Sequence, residues 1–448
     1  MSFYSPVRTN AAEVAASKDL HLFKYVEDPE QVKIDTYEAH GGYAAWRKVL
    51  SGMKPTDVAA EVKSSGLRGR GGAGFPAGMK WGFIPKDNPK PRYLICNADE
   101  SEPGTCKDRV LMERDPHGVI EGMAIASYAI GCHRAFIYIR GEFGHSADVI
   151  RKAVSEAYAK GHLGANVHGS GFDFELVVHT GGGAYICGEE TALMNSLEGR
   201  RGNARIKPPF PAISGLYGCP TIVNNVETLA AVPHIINRGA DWYKSLGTEK
   251  STGSKLFSLS GHVKQPGNYE LILGHSLRDL IYSPKYGGGI LGDKKLKGVI
   301  PGGSSTPFLK PDQIDIPLDY ESLAAAGSML GSGAVIVFHE DTCIVWVIAN
   351  LIRFYRHESC GKCTPCREGT GWLEKLINRI ELGAGKPGDI EKIENICENI
   401  FGRTVCPLGD AAVMPIQSAV KQWRDEWQYH IDHGKCMVDT KFELAQGN

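Results

Sequence analysis

The chain has 448 residues and a formal net charge of −1, with 42% hydrophobic and 23% charged residues, which suits a soluble chain of two to four domains with sizeable cores. Near-neutrality removes the electrostatic footprint expected for nucleic-acid binding or for docking on an anionic membrane. The most apolar stretch, residues 343–352, includes Asn350 and is about half the roughly 20 residues a membrane span needs.

The opening run, MSFYSPVRTNAAEVAASKDLHLF, lacks the apolar core of a signal peptide and carries acids that a transit peptide avoids. TDVAAEVKSSG (56–66) reads as helix, and GLRGRGGAGFPAGMKWGF (66–83) follows it. Gly69, Gly71 and Gly74 match G-x-G-x-x-G, but a dinucleotide fingerprint follows a strand and opens a helix. Here a helix precedes and Pro76 interrupts what comes after, so the standard NAD-binding reading is the weaker one. Glycines this dense still let backbone press against a flat or phosphorylated ligand, with Arg68, Arg70 and Lys80 adding positive charge. A purely structural turn is the bland alternative.

From about residue 93 to residue 238, short apolar runs alternate with amphipathic segments. YLIC (93–96), AFIYI (135–139) and FELVV (174–178) read as buried strands, with helices near 117–130, 147–159 and 189–197. This alternation predicts an α/β layered domain with parallel strands. In ICNADESEPGTCKDR (95–109), Asn97, Asp99, Glu100 and Glu102 gather where a strand ends, the place at which α/β sheets bind ligands. A helix N-terminus or a solvated loop is the bland alternative. In HTGGGAYICGEETALMNSLEG (179–199), three glycines leave a strand, Tyr185 can stack or hydrogen-bond over a planar ring, and Glu189 and Glu190 open a helix. NNVET (224–228) starts another helix, where Asn224 and Asn225 either cap it or read polar ring atoms.

The texture then changes. KLFSLSGHVKQPGNYEL is strand, turn and strand, SLRDLIYS a short helix, and LKGVIPGGSS a strand with a glycine turn, together a small α+β module over about 251–338. From Asp341 onward the pattern is helical. Trp372, Leu376 and Ile380, flanked by Leu373 and Ile377, form one expected apolar face; Ile390, Ile393, Cys397 and Ile400 form another. ESCGKCTPCREG sets Cys360, Cys363 and Cys366 at two consecutive C-x-x-C spacings, and Cys406 in TVCPLGD can supply a fourth thiolate. Four cysteines are what a [4Fe–4S] cube needs, one thiolate per iron. A structural zinc site, better served by two separated C-x-x-C pairs, is the second reading. Arg356, Lys362 and Arg367 either offset the anionic cluster or form a solvated helix face. Cys96, Cys106, Cys132, Cys187, Cys219, Cys343, Cys397 and Cys436 have no framework spacing. Most read as small reduced core residues, which places the chain in a reducing compartment, most simply the cytoplasm.

Taken together, GLRGRGGAGFPAG, NADESEPGT, GAYICGEETAL, KPPFP, NNVET and ESCGKCTPCREG resemble the NADH-binding flavoprotein subunit of respiratory complex I, the NuoF-type family, in the family's order and over essentially the whole chain. The resemblance implies a Rossmann-like α/β domain for FMN and NADH over residues 1–245. It also implies a ubiquitin-like β-grasp domain of the soluble-ligand-binding type over 246–338 and a helical [4Fe–4S] domain over 339–448. By matching motifs, FMN lies against Gly69, Arg70, Gly71, Gly72, Lys80, Asn97, Asp99, Glu100, Tyr185, Gly188, Glu189, Asn224, Asn225 and Thr228. NADH is held by Phe75 and Phe83 near its adenine, with Glu102, Glu190, Lys207 and Phe210 completing the pocket. Cys360, Cys363, Cys366 and Cys406 take the cluster. Ala77 stands where a hydroxyl residue is expected, a departure that touches no expected ligand.

The implied function is electron entry into NADH:quinone oxidoreductase: hydride transfer from NADH to FMN, then single electrons to the cluster. Hydride transfer needs no side chain as acid or base, so the carboxylates are expected to bind and tune. Glu102 near the nicotinamide is expected to help bound nucleotide leave by repulsion or desolvation. The expected partners are a small thioredoxin-like [2Fe–2S] subunit and a large iron–sulfur subunit, with the chain peripheral on the cytoplasmic side of the membrane and not inserted in it. The nearest alternative is the diaphorase subunit of a soluble NAD-reducing hydrogenase or formate dehydrogenase. A zinc-stapled nucleotide-binding scaffold and a pure electron carrier without a nucleotide site are the more distant readings.

Overall fold

A computed structural model of the chain describes residues 8–438. Two four-stranded sheets and a helical bundle follow one another along it. The first sheet is wholly parallel, with β1 (Tyr93–Ala98), β2 (Arg134–Ile139), β3 (Glu175–Thr180) and β4 (Thr221–Asn225) in the order β3-β2-β1-β4. The chain steps outward from β1 to β3 and then returns to the other side of β1. The β1/β4 boundary is therefore the switch point at which open α/β sheets take ligands. The expected helices form over Pro116–Ile130, Gly144–Ala159 and Glu190–Leu197, and NNVET does open a helix, Val226–Arg238. Helices 116–130 and 226–238 pack backbone to backbone: a Cβ on Gly122 would lie 2.0 Å from the Leu229 carbonyl oxygen.

Strand β3 corrects one expectation. It lies at the sheet edge with Val177 40% exposed and only one of its six residues buried, because it pairs with β2 on one side and, among the described residues, with no strand on the other. The helices before the sheet include Ala44–Gly52 and the expected Pro55–Ser64, and the start of the first of them is anchored by the buried Glu121 carboxylate. It accepts from the backbone N–H groups of Tyr43 and Trp46 at 2.9 and 3.0 Å.

The second sheet holds β5 (Ser254–Gly261), β6 (Gly267–Ile272), β7 (Leu296–Ile300) and β8 (Ala334–His339) in the order β6-β5-β8-β7. β5 and β6 form the expected hairpin, β8 runs parallel to β5, and β7 is antiparallel to β8. Phe257, Leu259, Leu277, Leu280, Val335 and Val337 fill its core.

The bundle comprises Ile344–Glu358, Thr364–Glu381, Asp389–Ile400, Leu408–Gln422 and Arg424–His433. The buried stripe of helix 364–381 is Leu373, Ile377 and Ile380, while Trp372 is 54% exposed. The buried face thus lies one residue from the expected one, because Ile380 closes either of two adjacent stripes. Ile390, Ile393, Cys397 and Ile400 are all buried as read. Among the described residues no helix is long and apolar enough to cross a membrane. The outermost parts of the first and last expected domains, 1–7 and 439–448, lie outside the described residues.

Candidate functional site

The carboxyl ends of β1 and β4 open into a cavity of about 650 Å³. Gly69, Gly71, Gly72, Phe75, Lys80, Asn97, Asp99, Glu100, Glu102, Tyr185, Gly188, Glu189, Glu190, Asn224 and Asn225 all line it. The glycine loop forms one wall, and its compactness is forced. Gly74 has φ +65°, and a Cβ there would meet the Tyr320 ring at 2.4 Å. The Tyr320 hydroxyl in turn donates to the Gly69 carbonyl at 2.8 Å.

Five expected ligands lie behind or beside this wall. The Arg70 guanidinium is buried and donates to the Tyr243 hydroxyl at 2.9 Å and the Thr252 carbonyl at 2.7 Å. Thr228 Oγ1 accepts from the Arg70 N–H at 2.8 Å and so fixes the loop from the rear. Lys207 bridges Glu189 and Glu190 at 3.2 and 2.8 Å. Phe83 stacks obliquely on Phe75 at 5.8 Å, and both it and Phe210 are exposed, outside the residues that line the cavity. Sequence reading missed the rest of the lining. Ser305 and Thr306 come from the turn after β7, Lys107 and Asp108 follow β1, and Pro407, Leu408 and Met414 come from the bundle. CKDR, PGGSS and TVCPLGD each stand in a segment read from the sequence, but nothing local to them says which wall they join.

Several polar groups here are occupied by the fold. Asn97 Nδ2 donates to the Gly188 carbonyl at 2.8 Å, and Trp81 donates to Asn224 Oδ1 at 2.8 Å. Glu189 caps helix 190–197 through the N–H groups of Thr191 and Ala192. Asp99 differs: its Oδ1 is buried without a partner, as expected of a group that completes its hydrogen bonding on a polar ligand. Burial pushes Asp99 from 3.8 up to about 7 against the pull of Arg140. Burial, with the Asp108 charge behind it, carries Glu100 from 4.5 up to about 7.

The native chain therefore keeps protons on Asp99 and Glu100 up to about pH 7 that an unfolded chain releases near pH 4. The stabilisation is complete below about pH 4 and is lost as pH rises through about 7. In the cofactor-free chain the urea midpoint is expected to fall between about pH 5 and about pH 8 on this account. Asp99→Asn should flatten that slope; equal slopes in the two proteins would rule Asp99 out as its source.

Beside the cavity stands the cysteine cage. Cys363 holds the N-cap position of helix 364–381 and Cys366 sits in its first turn. Cys406 stands immediately before Pro407, which holds the N-cap position of helix 408–422. Helix N-termini favour thiolates and an anionic cluster. Cys366 is buried and the other three are half-buried, against Ile186, Leu193, Leu216 and Leu408. Burial pushes the free thiols of Cys366 and Cys406 up to about 11 and about 12. Cys360 and Cys363 add their charge at Cys366, as Cys360 and Cys366 do at Cys406, so the four face one volume. Among the described residues the one trio of ligand atoms within 4.8 Å of each other lies elsewhere. No three of the four sulfurs therefore lie mutually within 4.8 Å, whereas the edge of a zinc–thiolate tetrahedron with bonds of about 2.3 Å is roughly 3.8 Å. Of the basic neighbours, Arg356 pairs with Glu374, Arg367 with Glu368 at 2.9 Å, and Lys362 with the Ala204 carbonyl at 2.5 Å. Each already has a partner.

A ligand cavity at a parallel-sheet switch point, sharing Pro407 and Leu408 with a four-cysteine cage, defines a cofactor-binding electron-transfer protein. Curated relatives make the assignment specific. The F-type NADH-quinone oxidoreductase chain of Mycobacterium bovis is 54% identical over 434 residues, covering 95% of this chain and 97% of its own. The Streptomyces coelicolor protein of the same name is 53% identical, covering 98% of each. The chain belongs to the NuoF-type family of NADH-quinone oxidoreductase chains. Residues 62–234 match the Nuo51 FMN-binding domain, 255–337 the SLBB domain, and 346–430 the NADH-ubiquinone oxidoreductase-F iron-sulfur binding region. Among solved structures, a chain of the air-oxidised NAD+-reducing [NiFe]-hydrogenase superposes with a TM-score of 0.80 at 35% identity, covering 96% of this chain and 69% of that one.

Proposed function

We propose that this chain is the electron-entry subunit of an NADH:quinone oxidoreductase, binding FMN and one [4Fe–4S] cluster. The observation that carries the reading is the shared wall: the residues directly after Cys406 line the cavity, so a ligand there lies next to the cage. When bound, FMN accepts the electron pair of a hydride and releases electrons singly, as a one-electron iron–sulfur acceptor requires. The residues of the chain bind, orient and shield. Gly69, Gly71, Gly72, Gly188, Asn97, Asn224 and Asn225 would lie against FMN, with Asp99 and Glu100 near it and Tyr185 above. Arg70 and Thr228 would act from behind by holding the loop, and Cys360, Cys363, Cys366 and Cys406 would take the cluster.

Phe75 and Phe83 offer an aromatic pair for the adenine of NADH, with Phe210 nearby in the same reading. Lys80 bonds Glu190 and the Val223 carbonyl, each at 2.9 Å. Lys80 and Lys207 outweigh burial to hold Glu190 below its usual range. Glu102 is fixed by three donors: the Tyr185 hydroxyl at 2.7 Å, Ser304 Oγ at 3.0 Å and the Ser305 N–H at 2.7 Å. Such an anchored carboxylate disfavours an anionic dinucleotide. Glu102→Gln should tighten both NAD+ and NADH by roughly three- to tenfold, the worth of about 1 kcal/mol of relieved repulsion in a half-exposed site. Titration calorimetry that finds both constants unchanged would remove this role.

A division into three units at about 246 and 339 is supported by cores centred on the first sheet, the second sheet and the bundle, which meet at shared residues such as Leu256 and Phe338. Strand order β6-β5-β8-β7, with β5 parallel to β8, supports a β-grasp assignment of the middle unit. With no membrane-crossing helix among the described residues, the electrons pass to other subunits of the complex. We assign these as a small thioredoxin-like [2Fe–2S] chain and a large iron–sulfur chain, on the cytoplasmic face of the membrane. The hydrogenase likeness keeps a soluble diaphorase as the second reading. Purification of the native assembly decides between them: a quinone-reducing membrane complex supports the first, and a co-purifying hydrogenase or formate dehydrogenase module overturns it.

A further inference from the structure

Three ligand atoms outside the cysteine cage converge at another place in the bundle. Cys343 Sγ, a ring nitrogen of His430 and Cys436 Sγ lie within 4.8 Å of one another, with Cys343 and His430 buried. Cys343 caps helix 344–358, and its sulfur stands 3.3 Å from His430 Nε2. His430 lies in the last turn of helix 424–433, and Cys436 follows the Gly434 that ends it. We infer that Cys343, His430 and Cys436 form a zinc site that staples the C-terminal segment to the first helix of the bundle.

The chemistry suits zinc. Two thiolates and one imidazole are a borderline-soft S₂N set, and a Cys₂His set leaves the fourth tetrahedral position to water or another donor. Nε2 faces the sulfur, while Nδ1 is buried without a hydrogen-bond partner and the Ile380 backbone lies beside the ring. A ligating ring usually donates its distal N–H to such a backbone carbonyl, a bond that metal binding would have to complete here. A thiolate at Cys343 is helped by its place at a helix N-terminus, where the Trp346 N–H already points at the sulfur at 3.4 Å. The nearest carboxylate, Glu426, is held by Lys297 at 2.7 Å and by the Ile344 N–H at 2.8 Å, which leaves it poorly placed as a ligand. Zinc binding would replace the two thiol protons, which leave to solvent; no electron moves. A 15-residue helix separates Cys343 from the cluster segment, so the site would brace the bundle end remote from the cage.

The test uses the full-length chain with FMN and cluster loaded, incubated with zinc sulfate and dialysed against a weak chelator. Zinc, iron and flavin are then counted, and the zinc K-edge spectrum is recorded. The expected result is one zinc per chain with two sulfurs at about 2.3 Å and a nitrogen at about 2.0 Å. In Cys436→Ser, chosen because this cysteine is only half-buried, zinc should fall to background with iron and flavin unchanged. Zinc absent from the parent chain, zinc retained unaltered in Cys436→Ser, or a Cys343–Cys436 disulfide in the zinc-free protein would each overturn the assignment. Should Cys436→Ser also lose iron, the zinc ligands seen in the parent chain's spectrum decide alone: an S₂N set supports the site and an S₄ set, meaning zinc in the cage, overturns it.

Discussion

Cys406→Ala is expected to empty the cage of iron and silence the low-temperature paramagnetic signal of the reduced cluster, while the flavin still bleaches on addition of NADH. Cys360, Cys363 and Cys366 belong to one short segment, whereas Cys406 comes from the start of a different helix. Its loss therefore removes the only ligand that ties helix 408–422 to the other three. NADH-to-quinone turnover in the assembled complex should fall by more than about 100-fold, beyond the 10- to 100-fold that changes outside a metal's ligand shell typically cost. The split between the two readouts is the informative part. Because Pro407 and Leu408 belong to the cavity wall, some loosening of FMN is allowed. Retained iron with an unaltered signal is not, and would mean that the fourth ligand lies elsewhere.

The central strands are legible in the sequence because β1 and β2 are buried on both faces and so read as unbroken apolar runs. Strand β4, TIVNN, escapes such a reading: it is five residues long and ends in the asparagines that begin the next helix. The edge strand β3 and the exposed Trp372 show the complementary weakness, since periodicity reports what could be buried and not which neighbour arrives to bury it. At the site, the glycines, Asn97 and Asp99 announce themselves because a turn and a strand end both have local signatures. Ser304 and Ser305, which hold Glu102 from more than two hundred residues away, have none. Arg70 is the converse case. Its charge beside a glycine loop suggests a phosphate contact, yet its side chain runs inward to Tyr243 and Thr252.

That inward turn belongs to a buried charge cluster, and Glu227→Gln should expose its importance. Glu227 is fully buried, with Lys107 Nζ at 2.7 Å and Lys255 Nζ at 3.6 Å from the same carboxylate oxygen. Its other oxygen accepts from the Leu256 N–H at 2.8 Å, which joins helix 226–238 to β5. Lys107, Lys255 and Arg70 outweigh burial to hold the carboxyl below its usual range. Burial already draws Lys255 from 10.5 down to about 7, with Glu227 acting against it. Glutamine keeps the shape and the bond to Leu256 but removes the charge that two buried ammonium groups face. Breaking such a pair from one side costs about 3–5 kcal/mol, a large fraction of the 5–15 kcal/mol typical of a folded chain. Lys255 can shed its proton and Lys107 still has Asp108 at 2.7 Å, which places the expected loss near the lower end, about 3 kcal/mol. The urea midpoint followed by flavin release should drop accordingly, and Lys255→Met in the Glu227→Gln background should restore part of it by removing the unpaired cation. A single variant as stable as the parent would mean that water reaches this cluster and screens it.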